Sequence, residues 1–312
     1  MSADCDAIVF AYHDVGVRCL SVLLARGVRV RLVATHKDDS NENIWFESVE
    51  RLARAHDIEV STTTDPNDED FVAKLSGISP DFIFSFYYRY MLSPAVLATA
   101  MRGAYNMHGS LLPKYRGRVP INWAVLRGEK STGATLHEMV EKPDAGRIVD
   151  QMAIPILPDD RAIDVFRKVT VAAELVLDRA LPKLIDGTAE FATQDLSKGG
   201  YFRGRKTDDG RIDWSKGARE IHDLVRAVAP PYPGAFTMLG NARLRVLRSR
   251  VLGVAGGDAA PTLQAEGEYL VARCADGGML RIIDWDLDGA SRDAAAFAAR
   301  FGAEPVLLGD HA

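Results

Sequence analysis

The first half of the chain alternates short apolar runs with stretches of helical spacing. Residues 7–12, 28–35, 81–88 and 104–108 are the predicted strands. Between them, segments such as residues 17–26 and 44–55 carry apolar side chains three or four positions apart, which predicts helices. Strands separated by helix-length segments favour βαβ units. We therefore expect an α/β fold built on a Rossmann-like, doubly wound parallel sheet.

A longer helix is predicted to follow Asp159 and Asp160, which are suitable N-cap residues. Its apolar residues recur every three or four positions up to Leu177, as on a buried helix face. Pro182 is expected to kink or tighten the last turns, and Gly187 suits the position just after the helix.

The composition changes in the second half of the chain. Residues 193–216 are rich in glycine and charge and indicate a solvated linker. After a predicted helix at 218–228, the runs AFTML, ARLRVLRSRVL, GEYLVARC and MLRIIDW indicate a small antiparallel, OB-like β-barrel. The expected organisation is an N-terminal domain over 1–192, the linker, and a C-terminal domain over 217–312.

Composition excludes several classes of protein. A chain of 312 residues with 47% hydrophobic and 26% charged residues is typical of a globular protein, and its length suits two domains. A net charge of −5 opposes a general affinity for nucleic acid. The first residues do not resemble a signal peptide, and no apolar run approaches the ~18 residues of a spanning helix. A cytoplasmic protein without membrane insertion is therefore expected.

Familiar motifs for metals and common cofactors are missing. The three cysteines are far apart and form no CxxC pair, and no two of the seven histidines form an HExxH motif, so no metal is expected. The first strand-to-helix turn lacks GxGxxG spacing, which disfavours a dinucleotide. Residues 199–206 imitate a phosphate-binding loop but carry arginine where lysine is required. No GxSxG elbow indicates a serine hydrolase.

Candidate chemistry lies between residues 106 and 150. Asn106 and His108 are two apart on a predicted strand, so they share a face. The imidazole can move protons near neutral pH, and the carboxamide can donate a hydrogen bond to an oxyanion. Asp144 lies in a Pro-Asp-Ala-Gly turn between two β-like runs. Such a turn can bring the carboxylate to the ring, orient the ring and favour its cationic form.

Each of these residues also has a structural interpretation. A histidine at a strand end is more often a hydrogen-bonded structural group, Asp144 is a common turn former, and Asn106 can cap the loop. Ser110 is expected to hydrogen-bond within the loop rather than act as a nucleophile. His137 is expected to be a sheet residue rather than a catalyst.

The motifs NMHGSLLPKYRG, PINW and DAGRIVDQ resemble the catalytic core of the 10-formyltetrahydrofolate-dependent formyltransferases. The runs FAYHDVG, FSFYYR and RAVAPPYPGAF resemble the formyltransferase domain of the bifunctional polymyxin-resistance enzymes, and the similarity covers most of the chain. Those enzymes formylate UDP-4-amino-4-deoxy-L-arabinose for lipid A modification. The resemblance implies a catalytic triad of Asn106, His108 and Asp144 and 10-formyltetrahydrofolate as the formyl donor.

The resemblance also implies where the folate binds, and the strand ends suggest where the sugar nucleotide binds. The implied folate site comprises Tyr90, Met91, Leu92, Arg118, Val140, Glu141, Lys142, Pro143 and Asp144. The candidate residues for the sugar nucleotide lie at predicted carboxyl ends of strands, although each also suits packing or a surface position: Tyr12, His13, Tyr87, Tyr88 and Arg89.

Several alternatives stay open. Methionyl-tRNA formyltransferases share the chemistry, but residues 36–43 here hold one lysine against three acidic residues, a poor phosphate grip. A transferase for another amino sugar nucleotide is equally compatible. Glycinamide ribonucleotide formyltransferases usually read HPSLLP in one domain, which Gly109 and the β-rich tail oppose. A folate-binding module without turnover and an NAD-dependent dehydrogenase are less compatible with the motifs. The cations at 203–206 are interpreted as a solvated face.

Overall fold

The computed structural model describes residues 5–39, 42–253 and 257–309. The chain forms two compact units. The first comprises Met1–Pro120, Ser131–Pro155 and Phe166–Arg203, and the second comprises Ile121–Lys130, Ile156–Val165 and Gly204–Ala312. The domain boundaries expected from the sequence stay predictions.

The first unit contains a seven-stranded sheet. In spatial order its strands are β3 (Glu59–Ser61), β2 (Arg29–Ala34), β1 (Asp6–Ala11), β4 (Phe82–Phe86), β5 (Gly103–His108), β7 (Ser131–Glu138) and β8 (Ile148–Pro155). The first five strands are parallel, and the last two pair antiparallel. Every residue of β4 is buried, as expected for a strand covered on both faces. The predicted α/β fold class is confirmed.

The helices are α1 (His13–Ala25), α2 (Val49–Ala55), α3 (Glu69–Ile78), α4 (Pro94–Leu97), α5 (Pro120–Leu126), α6 (Ala162–Asp186), α7 (Ala218–Val228) and α8 (Ala294–Phe301). The start of α2 differs from its prediction at residue 44. The Ser48 side chain accepts a hydrogen bond from the Arg51 N–H and caps the helix there. Helix α6 contains Pro182 and is followed by Gly187 with a φ of 71°, in line with the sequence.

The direction of the chain reverses beside β1. From β1 the chain moves outward to β2 and β3 and then returns to pair β4 against the other side of β1. The Tyr12 N–H donates to the Phe86 carbonyl at this point, so the carboxyl ends of β1 and β4 meet. Open α/β sheets bind ligands at such a reversal. The core below it includes Ile8, Phe10 and Ile83.

The second unit contains an antiparallel sheet, which confirms the predicted strand arrangement. Its order is β10 (Ala235–Leu239), β11 (Ala242–Gly253), β14 (Met279–Leu287), β13 (Tyr269–Arg273), β12 (Thr262–Glu266) and β16 (Val306–Leu307), with β15 (Ala290–Ser291) beside β14. Part of the segment predicted as a linker pairs instead with the first unit: β9 (Tyr201–Phe202) lies parallel to β6 (Arg116–Gly117). Within the described residues, no helix is long and apolar enough to cross a bilayer.

A buried ion pair on α7 gives a stability test. The Arg226 guanidinium donates to the Asp223 carboxylate at 2.8 Å, and both side chains are buried. Asp223→Ala leaves a buried, uncompensated cation and is expected to lower the free energy of unfolding by about 3–5 kcal/mol. Urea denaturation measures the loss. Glu50→Gln, which breaks the exposed Arg54–Glu50 pair, is the control, with an expected change below ~0.5 kcal/mol. Equal effects of the two substitutions would contradict this account.

Candidate active site

His108 lies at the carboxyl end of β5 and is 6% exposed. Its Nε2 lies 2.8 Å from the Tyr115 carbonyl oxygen, and its Nδ1 lies 3.6 Å from Oδ1 of Asp144. A carbonyl only accepts, so Nε2 carries a proton and Nδ1 is the nitrogen that faces the carboxylate. Both ring nitrogens therefore face hydrogen-bond acceptors.

Asp144 lies in a tight turn with a φ of 53°, in the left-handed region. The Gly117 N–H donates to its Oδ2 at 2.8 Å, and the Gln194 side-chain amide donates to its main-chain carbonyl at 3.0 Å. Its Oδ1 lies 3.6 Å from His108 and 3.5 Å from Nε2 of His137. The structure thus brings together His108 and Asp144, which are 36 positions apart in the sequence.

Asn106 reaches this carboxylate through a second imidazole. Its Nδ2 lies 3.1 Å from His137 Nε2, the same nitrogen that approaches Asp144. The register of β5 against β7 places His137 directly opposite Asn106. His137 is a sheet residue, as predicted, but its contact with two of the candidate catalytic residues was not predicted. The only sequence signal was its position in the β-like run before the turn of Asp144.

The protonation states of the pair follow from burial and charge. Burial lowers the pKa of His108 below its usual value, although Asp144 and the Tyr115 hydrogen bond act in the opposite direction. The carboxylate favours the cationic ring, as expected, but burial outweighs this effect and the net shift of the pKa is downward. Burial also opposes ionisation of Asp144, but the two histidines and the Gly117 N–H hold its pKa well below its usual range. The resting pair is a neutral imidazole beside a carboxylate.

The loop after β5 is held by its own hydrogen bonds. The Ser110 hydroxyl donates to the Lys114 carbonyl at 2.6 Å, which confirms its predicted hydrogen bond within the loop. The Thr135 hydroxyl donates to the Ser110 carbonyl, also at 2.6 Å. These contacts fix the loop next to His108.

Two loops that carry implied folate residues lie side by side. Leu92 belongs to the buried core cluster against which Met139 also packs. Tyr90 and Met91, just before Leu92, and Val140, just after Met139, expose large apolar side chains. Exposed apolar groups on adjacent loops are suited to the flat face of an aromatic ligand. The Leu92 side chain itself is buried in the core and therefore leaves only its main chain for a ligand.

The remaining implied folate residues lie just before Asp144 in the sequence or directly after Gly117, whose N–H donates to Asp144. Glu141 and Lys142 are exposed, and Pro143 is half-buried in the turn. Arg118 is exposed and follows Gly117, and its N–H donates to the Phe202 carbonyl.

Two of the candidate sugar-nucleotide residues engage the acidic loop after β2. The Tyr12 hydroxyl donates to Asp38 at 2.9 Å. The Arg89 guanidinium lies 4.6 Å from the centre of the Tyr12 ring and pairs with both carboxylate oxygens of Glu42. Two acidic residues of this loop are thus occupied by partners within the protein. Residues 40 and 41 lie outside the described residues.

Tyr88 packs against a histidine in the same region. The His36 ring stacks on the Tyr88 ring at 4.3 Å, and its Nε2 accepts the Arg89 N–H at 3.0 Å. Burial and the nearby Arg89 lower the pKa of His36 to about 4, so the ring is a neutral acceptor.

Tyr87 and His13 lie closer to the catalytic strand. A Cβ placed on Gly109 would lie 2.1 Å from the Tyr87 hydroxyl oxygen, so glycine makes room for this phenol next to His108. The Tyr87 ring also contacts Phe166, with ring centres 5.9 Å apart. The candidate sugar-nucleotide residues therefore divide into a group on the acidic loop and a group beside His108.

An open cavity of about 640 Å³ is lined by two aromatic residues that contact His13. Trp45 and Phe46 form its aromatic wall, and the centres of their rings lie 4.5 and 3.9 Å from the centre of the His13 ring. Its charged lining residues are three arginines and three carboxylates: Arg18, Arg51, Arg167, Asp14, Asp38 and Glu47. Across the described ranges of the chain, no cluster of three or more histidine, cysteine or acidic residues could hold a metal ion.

Family models match both halves of the chain. The formyl transferase model matches residues 20–181, more than half of the chain, and the formyl transferase C-terminal domain model matches residues 205–302. The protein therefore belongs to the formyl transferase family. The family resemblance carried by the sequence motifs is confirmed at this level.

Solved structures share the fold. An N-formyltransferase from Helicobacter canadensis, in complex with folinic acid and dTDP-3-aminofucose, is 21% identical with a TM-score of 0.72, covering 90% of this chain and 99% of that one. A 4-N formyltransferase from Francisella tularensis is 19% identical with a TM-score of 0.62, covering 75% and 93%. HypX from Aquifex aeolicus with tetrahydrofolic acid is 17% identical with a TM-score of 0.63, covering 95% and 47%. At these identities the likeness concerns the fold.

His13 gives a pH test at the edge of the site. Burial and Arg89 lower its pKa to about 3, and its Nδ1 accepts the Asp14 N–H. Below its usual pKa of about 6.5 the unfolded chain binds a proton that the folded chain does not, so stability falls as the pH decreases. His13→Asn, which tolerates the φ of 70°, is expected to remove up to about 1.4 kcal/mol per pH unit of that slope between about pH 6 and 4.

Urea denaturation at a series of pH values measures this slope. His56→Asn, at an exposed position, is the matched control and is expected to leave the slope unchanged. If the His13 variant and the wild type show equal slopes, the His13 ring does not contribute to the pH dependence of stability.

Proposed function

We propose that this protein transfers a formyl group from 10-formyltetrahydrofolate to the amine of a sugar nucleotide, and specifically to the 4-amine of UDP-4-amino-4-deoxy-L-arabinose. The observation that carries the proposal is the contact of His108 with Asp144, with Asn106 donating to His137, whose Nε2 lies 3.5 Å from the same carboxylate. Family membership supports the reaction class, and the motif resemblance supports the particular acceptor and a place in lipid A modification.

The proposed role of His108 follows from its two neighbours. A neutral acceptor amine attacks the formyl carbon, and the new carbon–nitrogen bond leaves a positive nitrogen that must lose a proton. The resting imidazole is neutral and accepts that proton. The resulting cation is stabilised between the Asp144 carboxylate and the Tyr115 carbonyl. The ring then returns the proton to the folate nitrogen as its bond to the formyl carbon breaks.

Asn106 is the proposed oxyanion donor. One side-chain N–H is directed to His137, and the amide has a second N–H to donate. The oxygen of the formyl group becomes negative when the amine adds, and a fixed amide N–H directed at that oxygen stabilises the intermediate. We assign Asp144 to orienting the His108 ring and to stabilising its cation.

We propose that the formyl donor binds on the two loops that expose apolar side chains. Tyr90, Met91 and Val140 offer an apolar surface for a fused aromatic ring system, close to the turn that carries Asp144. The Helicobacter canadensis and Aquifex aeolicus structures were determined with folinic acid and tetrahydrofolic acid, which supports the same co-substrate here.

The nucleotide part of the acceptor is placed in the cavity beside His13. Its aromatic wall of Trp45 and Phe46 suits a base, and its arginines suit phosphate oxygens. Tyr87 and His13 lie between this cavity and Gly109. The dTDP-amino sugar in the Helicobacter canadensis structure supports this class of acceptor.

A tRNA acceptor is the second candidate, and the loop after β2 argues against it. Asp38 and Glu42 engage Tyr12 and Arg89, so the acidic side chains hold this loop against the protein. A loop with this charge does not attract a phosphate backbone.

The catalytic roles are tested by His108→Ala and Asp144→Asn. Each is expected to lower kcat by roughly 10²–10⁴-fold, because proton transfer or the stabilisation of the imidazolium is lost. Formyl transfer is followed by mass spectrometry with purified proteins whose folding is checked by circular dichroism. His56→Ala is the exposed control. Near-wild-type turnover by either folded variant would remove that residue from the mechanism.

The acceptor is tested by a competition among three amines. UDP-4-amino-4-deoxy-L-arabinose, a dTDP-linked amino sugar and methionyl initiator tRNA are each supplied with 10-formyltetrahydrofolate. We expect the largest kcat/KM with the UDP sugar, because the motif resemblance is to enzymes that use it. A preference for the dTDP sugar would show that the proposed UDP acceptor is wrong. Formylation of tRNA alone would contradict the proposal that the acceptor is a sugar nucleotide.

A further inference from the structure

Arg116 is a buried cation without a carboxylate partner in the described part of the chain. It is 7% exposed, and one terminal nitrogen lies 3.4 Å from both the Leu196 and the Gly199 carbonyl oxygens. Its Nε is buried and has no hydrogen-bond partner. Burial of an uncompensated guanidinium is costly, so its retention requires a reason.

The residues around Arg116 form what we call the strap, residues 114–117. The strap supplies a main-chain group to each member of the candidate catalytic pair. The Tyr115 carbonyl accepts the His108 Nε2–H, and the Gly117 N–H donates to Asp144, both at 2.8 Å. A shift of the strap therefore alters both hydrogen bonds at once.

The strap lies against what we call the brace, residues 195–202. The Arg116 N–H donates to the Gly200 carbonyl at 3.0 Å within the β6–β9 pair. The approach is close: a Cβ on Gly117 would lie 2.3 Å from the Phe202 carbonyl oxygen, and a Cβ on Gly199 would lie 1.8 Å from that of Pro113. Glycine at both positions permits the contact.

The brace presents main-chain oxygens to the guanidinium. Residues 196–198 form a single 3₁₀ turn, which the Asp195 carboxylate begins by accepting the Ser197 N–H and hydroxyl. The Leu196 and Gly199 carbonyls of this segment lie at the Arg116 side chain. The terminal nitrogen carries two N–H groups and can donate to both oxygens, and the planar guanidinium fixes the directions of these N–H groups.

We propose that Arg116 is a positioning residue: its guanidinium fixes the brace to the strap and thereby holds the two hydrogen bonds that orient His108 and Asp144. Its effect on turnover rests on the proposed function, whereas its effect on the strap does not. The side chain acts through main-chain groups and has no contact with the reacting atoms.

The test compares Arg116→Gln with Arg102→Gln. Arg102 is a matched control because its guanidinium also donates to two main-chain carbonyls, those of Leu184 and Ile185, away from the strap. Arg116→Gln is expected to lower kcat roughly 10- to 100-fold, the range typical of removing a group that orients a metal ligand by a hydrogen bond. KM for both substrates is expected to stay within about threefold. Arg102→Gln is expected to leave kcat within about twofold of the wild type.

A second readout does not depend on catalysis. Hydrogen exchange measured by NMR follows the Gly117 amide, which donates to Asp144. We expect its exchange to become at least ~10-fold faster in Arg116→Gln and to stay unchanged in Arg102→Gln, because only the first opens the strap. Unchanged exchange of Gly117, or an unchanged kcat, would overturn the proposal.

Arg116→Lys covers the case in which the glutamine variant does not fold. Lysine keeps the charge but lacks the rigid planar guanidinium, so its nitrogen is held less firmly and intermediate loss of kcat and of Gly117 protection is expected. Wild-type values for this folded variant would also overturn the proposal. If the wild-type enzyme transfers no formyl group to any acceptor, the proposed function fails, and the Gly117 exchange still decides the role of Arg116.

Discussion

The buried negative charge of Asp144 is the constraint on which the site depends. A carboxylate removed from water is unfavourable unless hydrogen bonds and opposite charges replace the solvent. Here the Gly117 N–H of the strap donates to Oδ2, while Nδ1 of His108 on β5 and Nε2 of His137 on β7 lie 3.6 and 3.5 Å from Oδ1. Each of these groups stays in place because the sheet, the strap and the brace hold it. The fold of the first unit therefore fixes this charge within a few ångströms.

The resting site combines a neutral ring with acceptors on both of its nitrogens. Burial keeps His108 neutral, yet the Asp144 carboxylate and the Tyr115 carbonyl both favour the ring once it is protonated. Under the proposed mechanism, these two acceptors offset part of the cost that burial imposes on the protonated ring, and this lowers the barrier to proton transfer. The same geometry explains why the support of the strap by Arg116 bears on catalysis.

The sequence predicts the parts of this picture that depend on local pattern. Hydrophobic spacing predicted the α/β class, the antiparallel second unit and the bounds of α7, and the Pro-Asp-Ala-Gly turn correctly suggested that Asp144 approaches His108. The start of α2 was wrong because Trp45 and Phe46, which continue the apolar pattern, pack on the His13 ring instead. Local pattern carries no information on the register between strands, so the contacts of His137 with Asn106 and Asp144 were missed. The raising effect of Asp144 on the His108 pKa was predicted, but the larger lowering effect of burial was not, because burial arises from the whole unit.

The most direct measurement of the central claim is an NMR titration of the protein with ¹⁵N-labelled histidine side chains, with His108 assigned by substitution. The account predicts a neutral, Nε2-protonated ring at pH 7 and a titration midpoint below the usual value of about 6.5. In Asp144→Asn the midpoint is expected to fall further, because the carboxylate that favours the cation is gone. A midpoint at or above the usual value, or one that Asp144→Asn leaves unchanged, would contradict the coupling of His108 and Asp144.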